Sequence, residues 1–359
     1  MKNKYVLLFK TGDAEFRALK NTDFDRSKVQ PIIELTRGRK SKLDKVGLIS
    51  KRIKSLEKIF ANQSICLDLT AHESLSNSEI DELYKFEKGY KNWVSFLIEI
   101  KEHSAFKEII PTILVDTTDE DIEKNLLKQV RSLGDNFNKI VYRNSIADDG
   151  CYEDIDAIKD YINENIKLKF IFAIDCEYVP SGAYLNTIEI ANARFEKIKN
   201  KIPKAEFIIV STSFPRYVSD IGDDEHDSFP LNEIDIFNGI KRFHNNVIYG
   251  DYASINPIRN DDIVMARGWI PRIDIPTAKE IYYYRERRNG NDYPFTYTKV
   301  AKKVFRDEKF PQNLNKNWGI RQVLSCKDGS APGSSPSFWI SVRMSIHIDQ
   351  RLIGIDEMY

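Results

Sequence analysis

Apolar residues in this chain fall into short, nearly continuous runs, separated by longer stretches in which they recur every three or four positions. The runs are Tyr5–Lys10, Val29–Thr36, Ser64–Thr70, Ile109–Asp116, Lys139–Ser145, Lys169–Cys176, Glu206–Ser213 and Val247–Tyr252. Each is rich in β-branched or aromatic residues, as expected of strands buried on both faces. Between them, Asp13–Lys20, Lys45–Phe60, Ser76–Phe106, Asp119–Phe137, Glu153–Ile166, Ala183–Ile202 and Leu231–Phe243 carry helical periodicity. Several of these open on carboxylates, such as Glu153 and Asp154, which suit the positive end of a helix. Strand followed by helix, repeated, predicts a parallel sheet covered by helices. No G-x-G-x-x-G follows the first run, so an α/β fold of the (β/α)8, TIM-barrel-like kind is expected over residues 1–252, ahead of an open doubly wound sheet.

After Tyr252 the pattern changes. Ile263–Ile275 and Lys279–Arg287 read as two strands about a Pro276-Thr277 turn, followed by a helix at Tyr297–Phe305. Asp328–Ser337 is rich in Gly, Pro and Ser and reads as a loop, and Phe338–Ile355 as a helix or two short strands. Residues 253–359 are thus expected to form a C-terminal α+β elaboration packed on the barrel.

Composition narrows the function. Among 359 residues, 54 Lys and Arg balance 54 Asp and Glu, and this balance argues against non-specific nucleic-acid binding, which needs a basic surplus. No stretch approaches the apolar length of a membrane span, and the first apolar run is too short for a secretory signal, so no membrane partner and a cytoplasmic location are expected. Cys66, Cys151, Cys176 and Cys326 are scattered, as expected of reduced thiols, and the five histidines form no zinc motif.

The chemistry gathers at the carboxyl ends of the runs: Lys10, Glu34, Asp68, Asp116, Arg143, Asp175, Ser211 with Ser213, and Asp251. In a parallel barrel these positions converge on one mouth, where active sites are built. Carboxylates so placed repel unless they hold a cation, pair with Lys10 and Arg143, or share protons. Functionally, the set is an acid–base or divalent-metal site; structurally, such residues also cap helices and solvate a barrel rim. Two charged loops flank this expected mouth, basic Thr36–Lys45 and acidic Asp220–Asp227, and are candidates for a paired lid. In Tyr282–Arg288, alternation sets Tyr283, Arg285 and Arg287 on one face, which resembles a base-stacking platform but equally describes an edge strand.

Several blocks, in this order, are similar to those of the phage "beta protein" family: Lys4–Lys20, Gln30–Leu35, Ser211–Pro215, Tyr249–Tyr252, Ala266–Trp269 and Phe338–His347. The resemblance implies a barrel-like α/β protein of phages, satellites and bacterial mobile elements, associated with anti-phage and toxin–antitoxin-like loci and without an established enzymatic activity. Its recurrent polar positions fall on Lys10, Glu15, Glu34, Ser213, Asp251, Tyr252, Arg267 and His347. The sequence departs from the family in lacking an arginine-tryptophan pair within Leu231–Phe237 and in having a single histidine, His347, where a pair is frequent.

The expectation is therefore a barrel mouth for an anionic, phosphorylated ligand or nucleotide. Lys10, Arg143, Ser213, Tyr252, Arg267 and His347 would bind it. Glu34, Asp68, Asp116, Asp175 and Asp251 would serve as acid and base, with Asp68, Asp116 and Asp175 holding Mg²⁺ or Mn²⁺ for phosphodiester chemistry. The alternative is a non-enzymatic antitoxin- or immunity-type module that binds a partner protein from the same locus through the elaboration and its tyrosines.

Overall fold

The computed structural model describes residues 5–40, 42, 44–217, 220, 222, 224–258, 268–287 and 292–358. Strands β1 (Tyr5–Lys10), β2 (Val29–Leu35), β3 (Ser64–Leu69), β4 (Glu108–Pro111), β5 (Lys139–Ser145), β6 (Lys169–Tyr178), β7 (Glu206–Thr212) and, after β8 (His226–Pro230), β9 (Ile248–Asp251) are placed along the chain. All but β8 join one eight-stranded sheet, with neighbours in the order β4-β3-β2-β1-β9-β7-β6-β5. Every pairing in it is parallel. A lone bridge from Thr112 to Val141 links its two edges, and the sheet is a nearly closed barrel.

The helices are α1 (Asp13–Asn21), α2 (Ile49–Phe60), α3 (Ser78–Leu83), α4 (Glu87–His103), α5 (Ile122–Asn136), α6 (Cys151–Glu164), α7 (Tyr184–Lys201) and α8 (Asn232–Lys241). In α2, Ile49, Ile53, Leu56, Ile59 and Phe60 are buried, one stripe at helical spacing laid on the barrel. The single long helix expected over Ser76–Phe106 is divided into α3 and α4. Lys88, Gly89 and Tyr90 there have φ of 62°, 74° and 53°, and a Cβ on Gly89 would lie 2.8 Å from Lys128 Cβ, so the close approach of α4 to α5 depends on glycine.

Alternation along the strands sorts side chains between two cores. Val6, Leu8, Ile32, Cys66, Ile110, Val141, Ile171, Ile208, Val210 and Tyr252 fill the barrel interior. Tyr5, Leu7, Phe9, Ile33, Leu67, Phe172, Ile209 and Tyr249 face the helices. All four cysteines are buried and free.

Beyond the barrel, β10 (Arg272–Pro276), β11 (Glu280–Arg285), α9 (Tyr293–Arg306), α10 (Trp318–Lys327) and α11 (Pro336–Met358) follow. Antiparallel β10 and β11 form a sheet with β8, in the order β10-β11-β8. The acidic segment expected to be a loop thus ends in a strand, because pairing with β11 imposes extended backbone on His226–Pro230. The upstream part of the strand expected from Ile263 lies outside the described residues. The final segment, open between helix and strands, is one helix. Among the described residues, no helix is long and apolar enough to cross a membrane.

Tyr282 and Tyr283 are 2% and 0% exposed, and the Arg272 guanidinium lies 3.7 Å from the centre of the Tyr283 ring, so neither of these two rings is open for base stacking. The described residues of the two charged loops make other contacts: Arg37 donates to the Ser74 carbonyl, Asp44 meets Lys51 and Glu225 meets Lys303. No ion pair joins the loops among the described residues.

Candidate functional site

Strand register brings the site together. Lys10 pairs with Glu34 across β1 and β2, and Glu34 with Asp68 across β2 and β3. All three lie in phase with the interior residue two positions earlier on their strands, Leu8, Ile32 and Cys66, and so project into the top of the barrel. Lys10 Nζ is 2.5 Å from Glu34 Oε1. Arg143 spreads its guanidinium over three carboxylates, with Nη2 3.0 Å from Glu34, Nη1 2.6 Å from Asp68 and Nε 3.5 Å from Asp175. Thr112 donates to Asp68 at 2.6 Å, and the Tyr252 hydroxyl to Asp175 at 2.5 Å. This ring seals the apolar interior with charge that is largely compensated within it.

Its electrostatics are uneven. Burial alone would raise the Glu34 carboxyl, but Lys10 and Arg143 outweigh it and hold Glu34 well below the usual carboxylate range. Asp68 and Asp175 are raised, because burial outweighs the shared Arg143. Arg143 is the opening to solvent: its side chain is 22% exposed, against 8% or less for the carboxylates it meets.

A cleft of about 630 Å³ adjoins the ring above β3 and β4, lined among others by Thr70, Glu73, Asp81, Tyr84, Lys85, Glu87 and Asp116. Thr70 and Tyr84 of its wall stand next to the ring, Thr70 helping to lower Glu34 and Tyr84 lying in the field of Asp68 and Arg143, so cleft and ring are neighbours, although the ring's own charged side chains do not line the cleft. Asp116 belongs to the cleft wall and not to the ring: β4 ends at Pro111, and Asp116 turns back to accept from the Thr118 amide and hydroxyl at 2.9 and 2.7 Å.

The remaining expected residues separate from the mouth. Asp251, Ser211 and Ser213 have the opposite phase to Tyr252 and Val210 and face the helices. Asp251 accepts from the Tyr5 hydroxyl, from Tyr249 at 2.6 Å and from the Ala253 amide at 2.8 Å. Its Oδ2 lies 2.7 Å from His347 Nε2 and 3.5 Å from Arg351 Nε, both on α11. Ser254 Oγ meets His347 Nδ1 at 2.5 Å, and Ser213 donates to Glu233 at the start of α8. The expected acid–base role of Asp251 and ligand-binding roles of Ser213 and His347 therefore do not fall at the mouth. Arg267 lies outside the described residues.

Glu233, Asp251 and His347 each offer a donor atom within 4.8 Å of the others; among the described residues this is the three-donor cluster with metal-like spacing, and Asp68, Asp116 and Asp175 form none. Of the expected metal set, Asp68 and Asp175 are bridged by Arg143 and Asp116 lies on the wall of the cleft. Arg351 already supplies positive charge to the Asp251 cluster. Burial works to raise Asp251, but His347, Arg351 and Tyr249 outweigh it and hold the carboxyl at about 2. Burial pushes the His347 imidazole down and Glu233 up to about 7, with Arg351 working against the latter.

Glu233, Arg351, Ser254, Thr112, Thr70 and Tyr84 were not singled out by the sequence. One signal was present: Arg343, His347 and Arg351 recur at intervals of four in a largely apolar segment, which marks a polar stripe on a buried helix.

Fold and site together define an α/β barrel with a self-compensated charge ring at its mouth and a second polar knot binding its C-terminal helix. Residues 5–352 match the Beta protein family. The chain belongs to that family. It is similar to "Protein beta" of Enterobacteria phage P4, 26% identical over 97% of this chain and 92% of that one. Among solved structures, a chitinase from Chromobacterium violaceum aligns over 96% of this chain and 99% of that chain, at 10% identity and a TM-score of 0.30, a similarity too low to support inference about function.

Proposed function

We propose that the protein is a ligand-binding barrel of a phage-type defence locus, anti-phage or toxin–antitoxin in kind, whose mouth takes a small cationic ligand such as an amine or guanidino compound. The observation that carries this is the cleft beside the ring, of a size typical for small ligands. Its charge selects the class. The ring holds three carboxylates against two cations, and both cations are already paired. The cleft adds Glu73, Asp81, Glu87 and Asp116 against Lys85, which is itself paired with Glu82 at 2.5 Å. A phosphate entering here would displace existing pairs and meet carboxylates, whereas a cation meets acceptors. This replaces the anionic ligand expected from the sequence.

The test is calorimetric titration with spermidine and agmatine, beside ADP. Binding of a cationic probe that weakens at least tenfold in Glu73→Gln/Asp116→Asn supports the reading. ADP binding that is lost in Arg143→Met overturns it. The locus assignment is tested by plating phages on cells with and without the gene and its neighbours; equal plating efficiencies overturn it, and co-purification of a neighbour's product identifies the partner.

A further inference from the structure

The joint between the C-terminal sheet and the barrel holds a group of donors that no part of the proposed mouth uses. On one face of the sheet, register sets Arg272 opposite Arg285 and Asp274 opposite Tyr283. α11 brings Arg343 to the same place. Asp274 is shared between two guanidiniums: Arg272 Nε lies 2.5 Å from Oδ1 and Arg343 Nη1 2.7 Å from Oδ2. Arg343 stacks on Phe214, just after β7, 3.5 Å from the ring centre, as Arg272 does on Tyr283. All four polar side chains are buried, at 9% exposure or less.

The donor count does not close. Arg272 Nη1 and Nη2, Arg343 Nε and the Tyr283 hydroxyl are buried with no hydrogen-bond partner. Two guanidiniums on one carboxylate also leave an excess positive charge. Arg285, on the neighbouring strand, directs Nε and Nη2 to the Asp224 and Gly222 carbonyls. Asp227, opposite Tyr283 on β8, is exposed and accepts from the Ser228 amide. A buried charged donor left unmet is costly, and the paired Nη groups of arginine present the fork that accepts two oxygens of a carboxylate or phosphate.

We propose that this joint is a binding seat for a small oxyanion, held by the Nη fork of Arg272 with Arg343 and Tyr283 beside it. Bound there, the anion completes the contact between the C-terminal sheet, α11 and the loop after β7.

The probe is inorganic phosphate, with sulfate and acetate in parallel arms, added to the full chain at constant ionic strength against chloride. Thermal unfolding should rise by about 3 °C or more at saturating anion, and the ranking of the three probes separates phosphate-type from carboxylate ligands. Arg272→Met should abolish the shift, while Arg343 keeps Asp274 paired in the anion-free protein. Arg272→Lys, which keeps the charge but not the fork, should weaken the anion at least tenfold and serves if Arg272→Met does not fold. No anion-dependent shift overturns the proposal. So does a shift that survives Arg272→Met, or one that Arg143→Met removes, which would place the anion at the barrel mouth.

Discussion

Two polar networks of the same barrel meet at the end of β9 and have different fates. The ring around Arg143 lies inside the barrel beside a cleft, with Arg143 itself 22% exposed. The knot around Asp251 lies outside it, and Asp251 and His347 are both 0% exposed. A single residue of phase separates them: Tyr252 points in and joins Asp175, while Asp251 points out and joins α11. A charge at a strand end is thus a site or a staple according to parity, and the two should respond differently to the same perturbation.

The largest effect is expected at the staple. Asp251→Asn strands Arg351 and deprives His347 of its carboxylate, and should cost about 3–5 kcal/mol in urea unfolding, as loss of one partner of a buried pair does. A loss below 1 kcal/mol would erase the distinction between the networks. Next comes pH. The Glu233 carboxyl titrates at 4.5 when unperturbed and at about 7 in the fold, so the native state holds its proton more tightly. Stability should therefore fall as pH rises between those values, by about 3 kcal/mol in all. Glu233→Gln should remove that slope when unfolding is compared at pH 5 and pH 8. Depressed His347 and Asp251 work in the opposite sense, with stability lost as pH falls.

At the ring, Arg143→Met should cost less, about 1–3 kcal/mol, because solvent reaches the site and Glu34 keeps Lys10. The same variant sharpens the functional reading, since a mouth made more negative should bind spermidine more tightly, and calorimetry showing weaker binding would contradict it. The smallest effect is expected for Lys85→Gln. Its pair with Glu82 is 56% exposed on both sides, and the unfolding midpoint should not move.

Much of the fold was legible. The eight barrel strands were marked by apolar runs, because burial on both faces leaves no polar position to blur them. That continuity also hides phase: a run such as YVLLFK carries no two-residue alternation, so nothing in it shows whether Lys10 or Phe9 points inward. The structure brings Lys10, Glu34, Asp68, Arg143, Asp175 and Tyr252 together, whereas Asp251, one residue out of phase with Tyr252, faces the helices, a difference of parity that the run does not display. β8 was hidden for another reason. Its five residues, HDSFP, are exposed or half-buried, and long-range pairing rather than local preference makes them a strand.

That strand has a further consequence. β8 sits in the chain before α8 and β9, yet its hydrogen-bonding neighbour is β11, about fifty residues downstream. The C-terminal sheet is therefore stitched through the barrel's own connection instead of being appended to its end. A cut after Tyr252 would leave that sheet one strand short and the barrel with an orphaned ribbon. Exchange of the C-terminal segment of this chain alone would therefore have to preserve pairing with the β7–α8 connection.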